Sequence, residues 1–215
     1  MNSSRENQTL SFERVLFFSD AVIAIVITLL VLEIKVPHLN TSRPLESDLR
    51  HTLVELIPKV LGFVYSFFII GMLWIEHHRI FRFIGNFDFG LIWRNLLVLL
   101  FIAFIPFPTA LFSEYFFSQT AFVLYVASFA FAALAKIWLW SHAVRNRQTL
   151  LIPDIDDEMV KRISRRSWAV PIVCGIAIIF SFISNAVAVV SFPLIPLIAH
   201  FLYPNKKAAS VAADK

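Results

Sequence analysis

Apolar residues gather into six stretches, each close to the ~20 residues that carry a helix across the hydrocarbon core of a bilayer. They lie roughly at 12–34, 53–78, 89–112, 118–141, 167–184 and 186–203, joined by short polar segments and one longer one near 143–166. The pattern predicts an all-α membrane protein, with residues 1–215 forming a single six-helix unit. A membrane β-barrel would instead read as short alternating segments. Only Ser184-Asn185 separates the last two stretches, which predicts a tight helical hairpin or a less regular pair. Pro193 and Pro196 should kink the sixth span.

Composition agrees with this pattern: 58% of residues are hydrophobic, 23 are phenylalanine, and mean hydropathy is +0.73. The first stretch is longer than the apolar core of a cleaved signal peptide, and Glu33-Ile-Lys35-Val-Pro37 reads as an interfacial stop. Charge supplies the orientation. With the amino terminus inside and six spans alternating, 14 of the 19 Lys and Arg residues fall on the inner side. Four fall outside (Lys35, Arg43, Arg50 and Lys59), and Lys136 lies within span four. This bias predicts both termini in the cytoplasm. Cys174, the single cysteine, leaves no internal disulfide and reads as a small buried apolar residue.

The first span carries an aspartate, Asp20, about a third of the way along. A carboxylate at that depth costs several kcal/mol unless a partner or water receives it. At ~1.5 Å per residue Asp20 lies ~12 Å into the helix. Span two returns the other way and brings Trp74, His77 and His78 near its inner end, while span three starts inside with Asn95 at similar depth. Ser19, Asp20, His77 and Asn95 are therefore expected in one layer, facing the bundle and each other. At ~100° per residue, Phe18, Val22, Ile25, Leu29 and Leu32 form an aliphatic and aromatic ridge with Thr28 on its edge. Asp20 points ~140° away from Ile25. Periodicity alone gives the ridge as lipid or core packing, and it gives Arg14 a place on the same face.

Other constellations are excluded or weak. Glu76-His77-His78 cannot converge on one ion, because consecutive helical side chains diverge by ~100°. No His-Glu-x-x-His, nucleotide loop, catalytic triad or redox motif is present, so neither a catalytic residue nor a metal site is expected. Pro153-Asp-Ile-Asp-Asp-Glu lacks the glycine and spacing of a calcium loop and reads as a solvated loop starting an interfacial helix. Trp74, Trp93, Trp138, Trp140 and Trp168 all fall near the inner interface and read as an aromatic belt.

Arg14-x-x-x-Phe18-Ser19-Asp20, followed by Ala24-Ile25-Val-Ile-Thr28-Leu29-Leu-Val-Leu32, resembles the signature of the endosomal and lysosomal potassium channel family called transmembrane protein 175. Trp74-x-x-His77-His78, Asn95 and Phe104-Ile-Pro106-Phe-Pro108-Thr-Ala are also similar to that family, so the match covers spans one to three. The resemblance implies a pore lined by first helices, without a re-entrant carbonyl filter. The chain has no Thr-Val-Gly-Tyr-Gly. One signature per chain implies a homotetramer, as in bacterial members, in the inner membrane. The resemblance makes Ile25 the narrowest ring, Leu29 and Leu32 further rings, and Thr28 a selectivity layer. It makes Arg14, Phe18, Ser19, Asp20, Trp74, His77 and Asn95 a packing network between helices. Ala24 stands where vertebrate relatives have serine, which implies modest selectivity for potassium over sodium. The implied partners are further copies of the chain, lipids and permeating potassium ions, with no cofactor and no nucleic acid. Two other functions stay open on the residues: a proton-coupled carrier in which Asp20 and His77 titrate, and a non-transporting membrane scaffold.

Overall fold

The computed structural model describes residues 2–36 and 46–184. Helix α1 spans Asn2–Leu29 and tightens into a 3-10 turn at Leu30–Glu33. A short helix, α2 (Glu46–Glu55), precedes α3 (Ile57–Phe81). The third apolar segment is two helices, α4 (Phe89–Phe104) and α5 (Pro106–Glu114). Helix α6 (Gln119–Arg145) follows, then the single turn α7 (Arg147–Leu150). Helices α8 (Asp157–Ser167) and α9 (Ala169–Ile183) complete the described chain.

Among the described residues, five helical segments are long and apolar enough to cross a membrane: Phe12–Glu33, Ile57–Phe81, Phe89–Glu114, Gln119–Arg145 and Asp157–Ile183. The predicted sixth span at 186–203, with its two prolines, lies outside them. Two boundaries differ from the sequence expectation. Span two starts at Ile57, because the residues before it form the polar helix α2, with Arg50–Glu46 and His51–Glu55 pairs one turn apart. Span five is lengthened by α8, which the hydropathy pattern leaves in the loop because its charged face interrupts the apolar run.

Local chemistry sets the ends. Asp88 caps α4 by accepting from Leu91 N–H at 2.6 Å, and Ser118 caps α6 through Ala121 N–H at 3.4 Å. Asp156 caps α8 through Glu158 N–H, so part of the acidic run is a helix start. Pro106 has no N–H to continue α4, and the break falls at Ile105.

Helix α6 sits at the centre, packed against α4, α5 and α9, while α1 leans on α3 and α4. Ala132, Ala133, Ala135 and Ala143 are buried on α6, and small side chains let membrane helices approach closely. Gly62 serves the same end between α3 and α5, because a Cβ there would lie 2.0 Å from Ser113 Oγ. A buried polar contact joins three helices nearby: Ser66 Oγ lies 2.9 Å from Thr109 Oγ1 and 3.0 Å from the Tyr125 hydroxyl. Trp140, expected in the interfacial belt, is instead 2% exposed, and its indole N–H donates to Ser164 Oγ of α8 at 2.9 Å. The α8 helix covers it, which the helical period of α6 alone does not reveal. At the same end of the bundle the α3–α4 turn pairs with the end of α7 and the residues after it, through Gly85 N–H to Leu150 O at 2.8 Å and Ile152 N–H to Phe83 O at 3.0 Å.

Candidate ion pathway

Helix α1 has two unlike faces. Ser19, Ile23, Val26 and Leu30 recur at helical spacing and face the bundle, with Ser19 0% and Ile23 1% exposed. Phe18, Ile25, Leu29 and Leu32 face away from it, with Ile25 57% and Leu32 67% exposed. Thr28 shares the outward face, and its hydroxyl donates to Ile25 O at 2.8 Å. Arg14 lies on this face at one end and Glu33 is exposed at the other. The 3-10 turn eclipses residues three apart, which brings Leu29 and Leu32 into line along the helix. No described residue of the same chain covers this apolar stripe. Only 22% of the most apolar 18-residue stretch of the first span is buried, against 56% of that of the fourth.

The inward face is fixed by a directional chain of hydrogen bonds. The His77 Nε2 and Asn95 Oδ1 atoms are 2.8 Å apart, Asn95 Nδ2–H donates to Ser19 Oγ at 2.8 Å, and Ser19 Oγ donates to Val15 O at 2.8 Å. Because Asn95 Oδ1 can only accept, His77 Nε2 carries the proton of that bond. His77, Asn95 and Ser19 are all buried, and the His77 ring packs on Phe81 with centroids 4.4 Å apart. The His77 Nδ1 atom has no hydrogen-bond partner. Asp20 does not join this chain. Its carboxylate accepts from Trp74 Nε1–H at 2.8 Å, because Asp20 and Ser19, as consecutive residues, point in different directions. The structure thus brings Ser19, His77 and Asn95 together, and Asp20 and Trp74 together, at one level of α1, α3 and α4. Phe18 and Arg14 take no part in either contact.

Beside the lock lies a cluster of charges that sequence reasoning missed. Glu76 Oε1 accepts from Arg79 at 2.8 Å and from Arg166 of α8 at 3.0 Å, and the side chain of Lys136 is buried nearby. The His78 ring lies tilted against Trp74 with centroids 5.9 Å apart, so Glu76, His77 and His78 have separate partners. Arg94 lies over Trp138 at 4.3 Å and donates to Gly90 O at 2.8 Å. Asp88 contacts His142 Nε2 at 2.9 Å. Its partial burial opposes ionisation, but the Leu91 N–H and His142 outweigh that and hold the Asp88 carboxyl below its ordinary range. The available signal was the placement of charges inside apolar segments, since Glu76, Arg94 and Lys136 each demand a partner.

Fold and site together define an all-helical membrane protein whose first helix is pinned on one side by buried polar groups and left apolar and uncovered on the other. Residues 14–106 match the family model described as endosomal/lysosomal potassium channel TMEM175. The chain is similar to a potassium channel of Streptomyces collinus, with 34% identity over 92% of this chain and 97% of that one. It is also similar to a potassium channel of Chamaesiphon minutus, with 38% identity over 80% of this chain and 84% of the other. The crystal structure of a lysosomal potassium-selective channel TMEM175 homologue from Chamaesiphon minutus superposes with a TM-score of 0.74 at 34% identity, covering 88% of this chain and 98% of that one. The chain belongs to the TMEM175 family.

Proposed function

We propose that the chain is one subunit of a homotetrameric, potassium-permeable cation channel of the bacterial inner membrane. The relatives named as potassium channels support the ion, and the two-faced α1 carries the mechanism. Four copies of α1 surround an axis, with the lock turned toward each subunit's own bundle and the apolar stripe toward the axis. Ile25 forms the narrowest ring, Leu29 and Leu32 form further rings outward, and Thr28 offers a hydroxyl between them. A narrow apolar ring stays dry, while a wider one passes hydrated or partly hydrated ions, so conduction follows ring width and wetting. Selectivity for potassium over sodium is modest, since Ala24 stands where vertebrate relatives have serine. Six spans with both termini in the cytoplasm place Arg14, Asp88 and Arg166 on the inner side, in keeping with the bias of basic residues. The carrier alternative needs Asp20 and His77 to exchange a proton, and these two groups hold different partners.

The test is purification, mass measurement in detergent and cation flux in liposomes. A species of four chains with potassium flux larger than sodium flux is expected. Cross-linking that stops at dimers overturns the architecture, and saturating flux coupled to pH overturns the channel reading.

A further inference from the structure

Helices α8 and α9 run almost continuously. Trp168 between them keeps right-handed helical angles, φ −76° and ψ −12°, with Trp168 N–H to Arg165 O at 3.3 Å and Ile172 N–H to Trp168 O at 3.1 Å. Along this rod one exposed stripe recurs at intervals of three and four: Arg165, Trp168, Ile172, Ile176, Ile179 and Ile183. Its chemistry changes once, from aliphatic through an indole to a guanidinium. Arg162 is exposed one turn beyond. Lys161 pairs with Glu158 and Arg166 with Glu76, but neither Arg162 nor Arg165 forms an ion pair with a described carboxylate. At ~1.5 Å per residue Arg165 lies ~4–5 Å and Arg162 ~9 Å beyond Trp168, across the depth of a headgroup layer.

We propose that this stripe is a binding site for an anionic phospholipid of the inner leaflet. The acyl chains lie along Ile172, Ile176 and Ile179, Trp168 sits at the interface, and Arg165 and Arg162 take the phosphate. The assignment rests on the topology proposed above. Guanidinium groups match phosphate oxygens in a planar fork, and an aliphatic wall matches the chains. For the two arginines the chain's own residues 185–215 offer one acid, Asp214, against Lys206, Lys207 and Lys215. The site reaches the pore helix through two contacts. Arg166, next to Arg165, bonds Glu76, and Glu76 precedes His77, which anchors the α1 lock. Lipid occupancy therefore steadies α8 and favours the locked position of α1.

The test compares the wild type with Arg162→Gln/Arg165→Gln, whose exposed positions leave assembly intact. Native mass spectrometry measures retention of phosphatidylglycerol against phosphatidylcholine, and liposomes of each composition measure flux. Retention of phosphatidylglycerol by the wild type should exceed that of the variant by about fivefold per arginine, the effect of one basic side chain at an anionic surface. Arg162→Lys/Arg165→Lys should restore part of it. Equal retention in wild type and Gln variant overturns the site, as does a second chain in place of lipid. Rescue by soluble glycerol phosphate overturns the bilayer as the source. Reduced retention with unchanged flux in phosphatidylglycerol overturns the link to α1. A wild type silent in every liposome overturns the channel reading instead, and retention still decides the lipid site.

Discussion

Asn95 bonds both Ser19 and His77, so Asn95→Leu tests the lock most directly. Leucine has nearly the same volume, which keeps the cavity term small. The substitution removes the acceptor of His77 Nε2–H, and Nδ1 of the same ring has no partner already. Both polar atoms of a buried imidazole are then unpaired. Ser19 loses one donor but still bonds Val15 O. Interhelical hydrogen bonds in membranes average ~0.6 kcal/mol, because the alternative state finds partners too. Stranding a buried polar group costs ~1–3 kcal/mol. Two lost bonds alone set a lower bound of ~1 kcal/mol, and adding one stranded ring at the upper figure gives ~4 kcal/mol, about fivefold to several hundredfold in the assembled fraction. The assay is the fraction of channel surviving graded heating in detergent, read by size exclusion, with His77→Phe and the double variant alongside. His77→Phe removes the ring that Asn95→Leu strands. The double variant should therefore cost less than the sum of the singles by more than ~0.5 kcal/mol. If Asn95→Leu stays within ~0.5 kcal/mol of wild type, or the two changes simply add, the polar chain does not hold α1.

Five further outcomes are expected. Ile25→Asn should raise conductance and flatten discrimination among potassium, sodium and caesium. Ile23→Ala, on the bundle face, should lower stability by about 2–4 kcal/mol with little change in flux per assembled channel; the reverse result means α1 is rotated from the proposed orientation. Trp74→Phe should free the Asp20 carboxylate and lower thermal stability without altering ion preference, as read by the same heating assay and by reversal potentials. Gly62→Ala should disrupt α3–α5 packing, where a Cβ meets Ser113 Oγ at 2.0 Å, and adding Ser113→Ala should recover part of the loss in heating curves. Asp88 is depressed in the folded state, so its contribution is present above the ordinary carboxylate pKa of 3.8 and is lost as pH falls through the folded value. Asp88→Asn should therefore narrow the stability difference between neutral and strongly acidic pH in thermal scans.

Much of the site was readable because membrane segments give helical phase directly. The separation of Ile25 from Ile23 and Ser19 follows from 100° steps, and the common depth of Ser19, His77 and Asn95 follows from counting residues in antiparallel spans. Depth does not choose partners, however. Asp20 shares the layer yet bonds Trp74, since azimuth and side-chain reach decide the match. The acidic run announced an interfacial helix at α8, but not that it would cover Trp140 or reach Glu76 through Arg166. Those contacts join residues 24 and 90 positions apart, for which a single sequence carries no local signal.

The position of the Ser19 pin along α1 sets a lever. Hydrogen bonds hold the helix at one point, whereas Ile23, Val26 and Leu30 beyond it are apolar contacts that can slide. Ile25 lies ~9 Å from the pin along the axis and Leu32 ~20 Å, at 1.5 Å per residue. A tilt of about 10° about Ser19 then displaces Ile25 by ~1.6 Å and Leu32 by ~3.4 Å. In the proposed channel the outer rings swing through twice the arc of the inner one, so the same tilt widens the Glu33 end most and Ile25 least.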